Sequence, residues 1–213
     1  MFITFEGIEG SGKSTQIELL IPVLESKGYE CVPTREPGST KIGKKIRAIL
    51  LDAKHTAILP VTELLLYEAD RAQHVGEVIE PSLAANKVVI SDRFSDATIV
   101  YQGYARGFDI RLIEQIHDMV LGDLKPDLTI ILDLPVESGL KRAWERIRNQ
   151  DTGPREDRFE KETLAFHEKV RKGYLTLATL EPERFRVIDA SGDTQIVHED
   201  IVAVLKEAGL DLR

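Results

Sequence analysis

The chain has 213 residues, of which 42% are hydrophobic and 30% are charged, an ordinary composition for one soluble globular domain. Its formal net charge of −8 argues against a general nucleic-acid-binding or membrane-binding surface, and its single cysteine, Cys31, excludes an internal disulfide. The sequence has no secretory leader pattern and no apolar run of membrane-spanning length. We therefore expect a cytoplasmic protein in a reducing compartment.

The first predicted elements are a strand, a glycine-rich loop and a helix. Phe2–Phe5 is apolar and β-prone, which predicts a buried strand, and a helix is predicted from about Ser14 to Lys27. Between them, Gly7-Ile8-Glu9-Gly10-Ser11-Gly12-Lys13-Ser14 matches the pattern G-x-x-x-x-G-K-[ST] at every fixed position. The backbone N–H groups of such a loop surround an anion, and the helix N-terminus adds partial positive charge. Lys13 is expected to reach the outer phosphates of a nucleotide, and the Ser14 hydroxyl to bind Mg²⁺.

Further along the chain, predicted helices and strands alternate. A polar loop, Thr34–Thr40, leads to a basic helix at Lys41–Leu51, and a long helix opens at Leu59–Thr62. Apolar residues at helical spacing predict the core face of the long helix: Leu64, Leu65, Ala69, Ala72, Val75 and Ile79. The remaining strands are predicted at Tyr29–Val32, Lys87–Ser91, Leu128–Leu132 and Phe185–Ile188, with Asp92, Asp133 and Asp189 closing the last three.

This order predicts the fold. Apolar strands that alternate with helices are typical of a parallel sheet covered on both faces. We therefore expect an α/β protein, a P-loop three-layer sandwich with a five-stranded parallel sheet, built as a single domain over residues 1–213. The one candidate insertion, Glu145–Phe159, is polar and rich in arginine, which favours a short lid. Ligands bind such sheets at the carboxyl ends of the strands, where the phosphate-binding loop, Glu36, Asp92 and Arg93 are expected.

Three clusters besides the loop carry side chains suited to nucleotide chemistry. Tyr67 and Arg71 are four residues apart, so a ring and a guanidinium share one helix face; they fit a planar ligand, or a surface cation–π pair. Asp92 and Arg93 fit a site for magnesium and phosphate, although an aspartate at this position also fits a helix cap. The third cluster fits a closing lid or a solvated basic helix face, and it comprises Arg142, Arg146, Arg148, Arg155 and Arg158.

Four motifs that occur together and in order extend this interpretation. They are Phe5–Thr15, Thr34–Gly38, Asp92–Phe94 followed by Tyr101–Gly103, and Asp157–Glu160. In this combination the chain resembles the bacterial thymidylate kinase family, from Met1 to about Asp189. The resemblance implies a nucleoside monophosphate kinase that transfers a phosphoryl group from MgATP to dTMP, giving dTDP and ADP. It also implies a homodimer, and a catalytic arginine in the lid, because the phosphate-binding loop contains none.

The resemblance also implies a role for individual residues. Tyr67 would stack on thymine, Arg71 would bond its O4, Gln102 would read the pyrimidine edge, and Thr98 would contact the base. Glu9 would approach the sugar 3′-hydroxyl, and Tyr101 would disfavour a 2′-hydroxyl. The catalytic candidates are Lys13, Glu9, Arg93, Arg146, Arg148 and Arg155, and which lid arginine acts is left open. ATP contacts are assigned to Gly7, Ile8, Glu9, Gly10, Ser11, Gly12, Lys13, Ser14, Thr15 and Arg142. Acceptor contacts are assigned to Glu36, Arg47, Tyr67, Arg71, Arg93, Thr98, Tyr101 and Gln102, and metal binding to Ser14 and Asp92.

Alternative functions differ either in the phosphate acceptor or in the class of protein. Another nucleoside monophosphate, such as dUMP or an adenylate, would require the same phosphate machinery. A nucleotide-driven switch or ATPase would need a residue that positions water and a partner surface, and the sequence offers no clear example of either. A non-catalytic nucleotide-binding module is disfavoured by Lys13, Ser14 and the lid arginines. The five histidines, His55, His74, His117, His167 and His198, have no partner motif and are read as structural or solvated.

Overall fold

A computed structural model describes residues 1–55, 57–149 and 157–212. The strands are β1 (Phe2–Glu6), β2 (Cys31–Arg35), β3 (Val88–Asp92), β4 (Leu128–Asp133) and β5 (Phe185–Asp189). The helices are α1 (Lys13–Ser26), α2 (Lys41–Leu51), α3 (Pro60–His74), α4 (Glu80–Ala84), α5 (Ser95–Thr98), α6 (Ile110–Leu121), α7 (Val136–Arg148), α8 (Leu164–Leu180) and α9 (Thr194–Glu207). A π-helical segment, Val75–Ile79, joins α3 to α4, and a second, Ile99–Ala105, continues α5.

The five strands form one parallel sheet in the order β2-β3-β1-β4-β5. In the central strand, Ile3 lies opposite Ile90 of β3 and Leu128 of β4. Every residue of β1 is buried, as expected for a strand covered on both faces. The predicted α/β fold with a five-stranded parallel sheet is therefore confirmed. No helix among the described residues has the length and apolar character needed to cross a bilayer.

The prediction for the second strand was wrong by two to three residues. Expected at Tyr29–Val32, β2 runs over Cys31–Arg35, so Thr34 and Arg35 belong to the strand and not to the following loop. β2 is an edge strand whose residues are half-buried or exposed, and its extent is set by pairing with β3, as far as Arg35 opposite Asp92. Apolar character marks buried strands, so it does not reveal the polar end of an edge strand.

The prediction for the core face of the long helix was partly wrong. Leu64, Val75 and Ile79 are buried, but Leu65 is 55% exposed, and Ala69 and Ala72 are exposed as well. The face of α3 that points inward carries charged and polar side chains instead: Glu63, Glu68, Asp70, Arg71 and His74. Each of these groups has an ion-pair or hydrogen-bond partner, which makes its burial tolerable. Arg71 pairs with Glu68, Arg71 and His74 contact Glu36, and Glu63 and Asp70 accept from Arg106 and from the Gly38 N–H.

Candidate active site

The phosphate-binding loop, the end of β3 and the inner face of α3 border one cleft of about 830 Å³ at the carboxyl ends of the strands. Residues 9–15 of the loop line this cleft, and Arg142 and Arg146 reach it from α7. The cleft also brings together all eight residues that were assigned to the acceptor: Glu36, Arg47, Tyr67, Arg71, Arg93, Thr98, Tyr101 and Gln102. The predicted acceptor residues and the loop residues from Glu9 onward therefore border one cleft, whereas Gly7 and Ile8 do not line it.

The phosphate-binding loop packs directly on α7. Gly10 has a φ of 72°, and a Cβ there would lie 2.0 Å from the carbonyl oxygen of Gly139 in α7. A Cβ at Gly139 would in turn lie 2.6 Å from the carbonyl oxygen of Glu9. Two glycines are therefore needed for the loop backbone to approach the helix this closely.

Lys13 is folded into the phosphate-binding loop, with 7% of its surface exposed. Its Nζ donates hydrogen bonds to the carbonyl oxygens of Gly7 (3.1 Å) and Ile8 (2.9 Å) and to Ser11 Oγ (3.3 Å). Burial, together with the positive charge of Arg93, lowers the pKa of Lys13 to about 8. Burial outweighs the opposite effect of the nearby carboxylates Asp92, Glu9 and Glu6, and a bound phosphate would favour the charged ammonium.

Ser14 and Asp92 meet across the start of α1 and the end of β3. Ser14 Oγ donates a 2.7 Å hydrogen bond to Asp92 Oδ2, so a hydroxyl and a carboxylate oxygen stand side by side in the cleft. Among the described residues no group of three or more His, Cys, Asp or Glu could hold a metal. One hydroxyl and one carboxylate suit Mg²⁺, which keeps several waters and takes further oxygens from substrate phosphates.

Arg93 is held in an uncommon backbone conformation at the end of β3. Its φ is 72°, in the left-handed region that non-glycine residues rarely adopt, and its N–H donates to the carbonyl oxygen of Phe5 (3.0 Å). The guanidinium donates to Tyr174 Oη (3.0 Å) and to Glu9 Oε1 (3.1 Å), and it lies 4.9 Å from the centre of the Tyr101 ring. These contacts hold the guanidinium in the cleft and join it to the phosphate-binding loop through Glu9.

Glu9 is an ionised carboxylate at the centre of the cleft. Its Oε1 accepts hydrogen bonds from Tyr101 Oη (2.5 Å) and from Arg93, and its Oε2 lies 3.2 Å from His167 Nδ1. Burial works to raise the pKa of Glu9, but His167, Arg93 and Tyr101 together lower it to about 2. A fixed negative charge therefore stands among the cations of the site.

Arg71 is almost fully buried, and its donors bond to protein groups. Nε donates to Glu36 Oε2 (2.9 Å), Nη1 to Glu68 Oε1 (2.5 Å), and Nη2 to Thr98 Oγ1 (3.0 Å) and to the carbonyl oxygen of Phe94 (3.2 Å). Arg71 Nη1 also lies 3.3 Å from His117 Nε2. Arg71 borders the cleft beside Tyr67, but a bond to a base oxygen would have to be shared with one of these partners.

The segment predicted as the lid, Glu145–Phe159, divides into three parts. Its first residues belong to α7, whose buried Ile147 keeps the helix regular to Arg148. Arg146 lies at the cleft with Nη2 3.4 Å from Glu160 Oε1, Arg148 is exposed, and Arg155 falls outside the described residues. The last residues return to the site, because the Phe159 ring lies 5.5 Å from Tyr101 and 6.4 Å from Tyr67.

Arg142 and the loop after β5 meet at the border of the cleft. Arg142 Nη1 donates to the carbonyl oxygen of Ala190 (3.1 Å), and Ala190, Gly192 and Thr194 also line the cleft.

Several residues of the site were missed by sequence reasoning. The histidines were predicted to be structural or solvated, and three of them contact charged residues of the site. His74 Nδ1 lies 2.8 Å from Glu36 Oε1, His117 borders Arg71 and Glu68, and His167 borders Glu9. Nothing in their spacing signals this, because their partners are about 40 to 160 residues away along the chain. The other missed residues are Glu63, Tyr174, Arg106 and Gly139.

A phosphate-binding loop and several arginines that border one cleft at the carboxyl ends of this sheet are typical of the class of P-loop nucleoside monophosphate kinases. Residues 5–201 match the family model described as thymidylate kinase. The chain is 54% identical over 206 residues to the thymidylate kinase of Desulfosudis oleivorans, covering 97% of this chain and 96% of that one. It is 56% identical over 204 residues to the thymidylate kinase of Geotalea uraniireducens, covering 96% and 95%.

A solved structure agrees with these relatives. The crystal structure of thymidylate kinase from Ehrlichia chaffeensis superposes with a TM-score of 0.77 at 38% identity, covering 97% of this chain and 98% of that one. The chain belongs to the thymidylate kinase family.

Proposed function

We propose that this chain, which as a family member phosphorylates dTMP to dTDP, uses MgATP as the donor and binds both nucleotides in the cleft described above. The observation that supports the proposal is that Lys13, the hydrogen-bonded pair Ser14–Asp92 and Arg93 border the same cleft. We further propose that residues 1–213 form one kinase domain, with the lid at about 145–159, and that the protein acts in the cytoplasm.

The proposed mechanism relies on positioning and charge. The acceptor is already an anionic phosphate oxygen, so no general base is required. The chain must instead hold two polyanions in line and offset the charge on the phosphoryl group as it moves between them. Lys13 would leave its loop carbonyls for the outer phosphates of ATP, and Arg93 would hold the acceptor phosphate together with Arg47. A lid arginine, Arg146, Arg148 or Arg155, would complete the set of cations.

Magnesium would be held by Ser14 Oγ and Asp92, which already stand 2.7 Å apart. When bound, the ion neutralises phosphate charge and fixes the orientation of the donor. The chain's part is to hold these two oxygens together in the cleft that Arg93 also borders.

The base would lie between Tyr67 and the wall formed by Arg71, Thr98 and Gln102. Tyr67 is half-buried, and burial raises the pKa of its hydroxyl, so its ring offers a neutral stacking surface. In the sugar region, Glu9 would accept from the 3′-hydroxyl, and the Tyr101 ring would occupy the space of a 2′-hydroxyl. Glu36 would act through Arg71 and His74, to which it is bonded.

A homodimer is supported by exposed apolar side chains on α3 and α6, two helices that pack against each other. Large side chains of this kind favour association when they share a face. Light scattering at micromolar concentration should give twice the chain mass. The exposed residues are Val61, Leu65, Leu112 and Met119.

The function is tested by ADP release with a panel of acceptors: dTMP, dUMP, dCMP, TMP with a ribose sugar, and AMP. We expect dTMP to give the highest kcat/KM, and Lys13→Ala to lower its kcat by several orders of magnitude while dTMP affinity is retained. A higher kcat/KM for another acceptor would refute the assignment of the base site. ATP hydrolysis that is unaffected by every monophosphate would favour the switch or ATPase reading instead.

A further inference from the structure

Glu63, in the first turn of α3, is a buried charge that the proposed mechanism leaves unexplained. It is 1% exposed, and both of its oxygens accept hydrogen bonds. Oε1 accepts from Arg106 Nε (2.8 Å), and Oε2 accepts from Arg158 Nη2 (2.5 Å) and Arg106 Nη2 (3.3 Å). Burial works to raise the pKa of Glu63, but the hydrogen bond from Arg106 and the charge of Arg158 lower it below its usual value. Glu63 is therefore a carboxylate that can accept hydrogen bonds but cannot donate one.

The remaining contact of this carboxylate is with the residue assigned to the pyrimidine edge. Gln102 Nε2 donates to Glu63 Oε1 at 3.0 Å, and Gln102 is itself 1% exposed and borders the cleft near Tyr67. A side-chain amide has one donating and one accepting end, and an ionised carboxylate can pair with the donating end alone. The Gln102 carbonyl oxygen is therefore directed away from Glu63, and no described residue donates to it.

We propose that Glu63 is a positioning residue for base selection, because it fixes the Gln102 amide so that its carbonyl oxygen faces the acceptor base. The inference rests on the proposed function, in which the pyrimidine lies between Tyr67 and Gln102. An oxygen at this place requires a ring N–H on the ligand. Thymine and uracil carry a hydrogen at N3, whereas N3 of cytosine is an acceptor and would face the oxygen with no hydrogen between them. An unpaired buried acceptor is a strong penalty, so Glu63 would exclude cytosine through Gln102.

The test is the selectivity ratio, kcat/KM for dTMP over kcat/KM for dCMP, in wild type and in Glu63→Gln. A neutral amide at position 63 can pair with either end of Gln102, so the amide becomes free to reverse. We expect the ratio to fall at least tenfold in Glu63→Gln, because the ratio cancels any general loss of activity. Glu162→Gln is the matched control: Glu162 also accepts from Arg106 (2.8 Å) but has no contact with Gln102, so its ratio should stay within twofold of wild type.

The ligand can be changed as well as the protein. N3-methyl-dTMP has no hydrogen at N3, and we expect wild type to use it at least tenfold less well than dTMP. In Gln102→Leu the carbonyl oxygen is gone, so the difference between dTMP and its N3-methyl analogue should shrink to less than threefold. Equal shrinkage in Glu63→Gln would support the positioning role, and an unchanged selectivity ratio in folded Glu63→Gln would overturn it.

If Glu63→Gln does not fold, the wild-type protein gives the answer by NMR. In the complex with dTMP, the N3–H of the bound base should give an imino proton signal that is protected from exchange with solvent in wild type and loses this protection in Gln102→Leu. An unprotected N3–H in the wild-type complex would mean that no carbonyl oxygen faces it and would overturn the inference. Failure of the proposed function is distinct, since wild type would then show no preference for dTMP in the acceptor panel.

Discussion

Replacing Gly139 with alanine tests whether the contact between α7 and the phosphate-binding loop sets the geometry of transfer. The new Cβ would lie 2.6 Å from the carbonyl oxygen of Glu9 and 2.7 Å from Ile8 Cδ1. Ordinary contact begins at 3.4 Å, so the loop backbone and α7 must separate by 3.4 − 2.6, or about 0.8 Å. The side chain of Ile8 can rotate away, but the backbone oxygen of Glu9 can move only with the loop itself.

The expected loss follows from that displacement. Misplacing reacting groups by roughly 1 Å costs about 10²-fold in rate, or about 2.7 kcal/mol in the activation free energy. We therefore expect Gly139→Ala to lower kcat about 10²-fold in a coupled ADP-release assay. Overpacking should also cost about 1–3 kcal/mol of stability, which is a Tm decrease of several degrees for a chain of this size.

The matched control is Gly76→Ala, because a Cβ at Gly76 meets nothing within 4 Å. It should retain wild-type kcat. Assays at 15–20 °C, well below the Tm of either variant, keep the folded fraction equal. A Gly139→Ala protein with wild-type kcat, or one whose loss disappears at low temperature, would refute the geometric reasoning.

Two further predictions concern the charges of the site. Lys13 has a lowered pKa of about 8 in the free protein, so its positive charge is present below that pH and is lost above it. The value of kcat/KM for ATP should thus fall about tenfold per pH unit above pH 8. Bound phosphates raise the pKa of Lys13, so kcat should fall only at higher pH. A value of kcat/KM that stays constant up to pH 9.5 would contradict this prediction. Asp92→Asn removes the carboxylate beside Ser14 but keeps an oxygen, so the Mg²⁺ concentration for half-maximal activity should rise about tenfold or more, with KM for dTMP nearly unchanged. An unaltered Mg²⁺ titration would remove Asp92 from the metal site.

Sequence patterns predicted the fold well where the structure depends on residues that are close together along the chain. The phosphate-binding loop is defined by spacing alone, and the bounds of α2 at Lys41–Leu51 agree with the prediction. The buried strands were found because their apolar runs are continuous. β2 was misplaced because the pairing of an edge strand depends on its neighbour, which an apolar pattern does not encode.

The candidate site was less predictable, because it is held by pairs distant along the chain. The cleft brings most of the predicted residues together, but Gly7, Ile8 and Arg148 do not line it and Arg155 lies outside the described residues. The roles of these residues toward nucleotides remain predictions. Periodicity assigned an apolar face to α3, whereas its inner face carries Arg71 and Glu68, which pair with each other. Arg71 also pairs with Glu36, which follows β2. Contacts such as His167 with Glu9, 158 positions apart, follow from tertiary packing and from no local motif.

The buried network around Arg71 has a consequence for how tightly the pocket can hold a ligand. Arginine and glutamate lose much rotational freedom when they are fixed, typically about 1.5–2 kcal/mol per side chain. In this protein Arg71, Glu36 and Glu68 are already fixed by one another in the structure. Their entropy is lost when the chain folds, so it is not lost again when a base arrives. A rigid ligand that matches the resting pocket should therefore bind with little conformational adjustment of this wall.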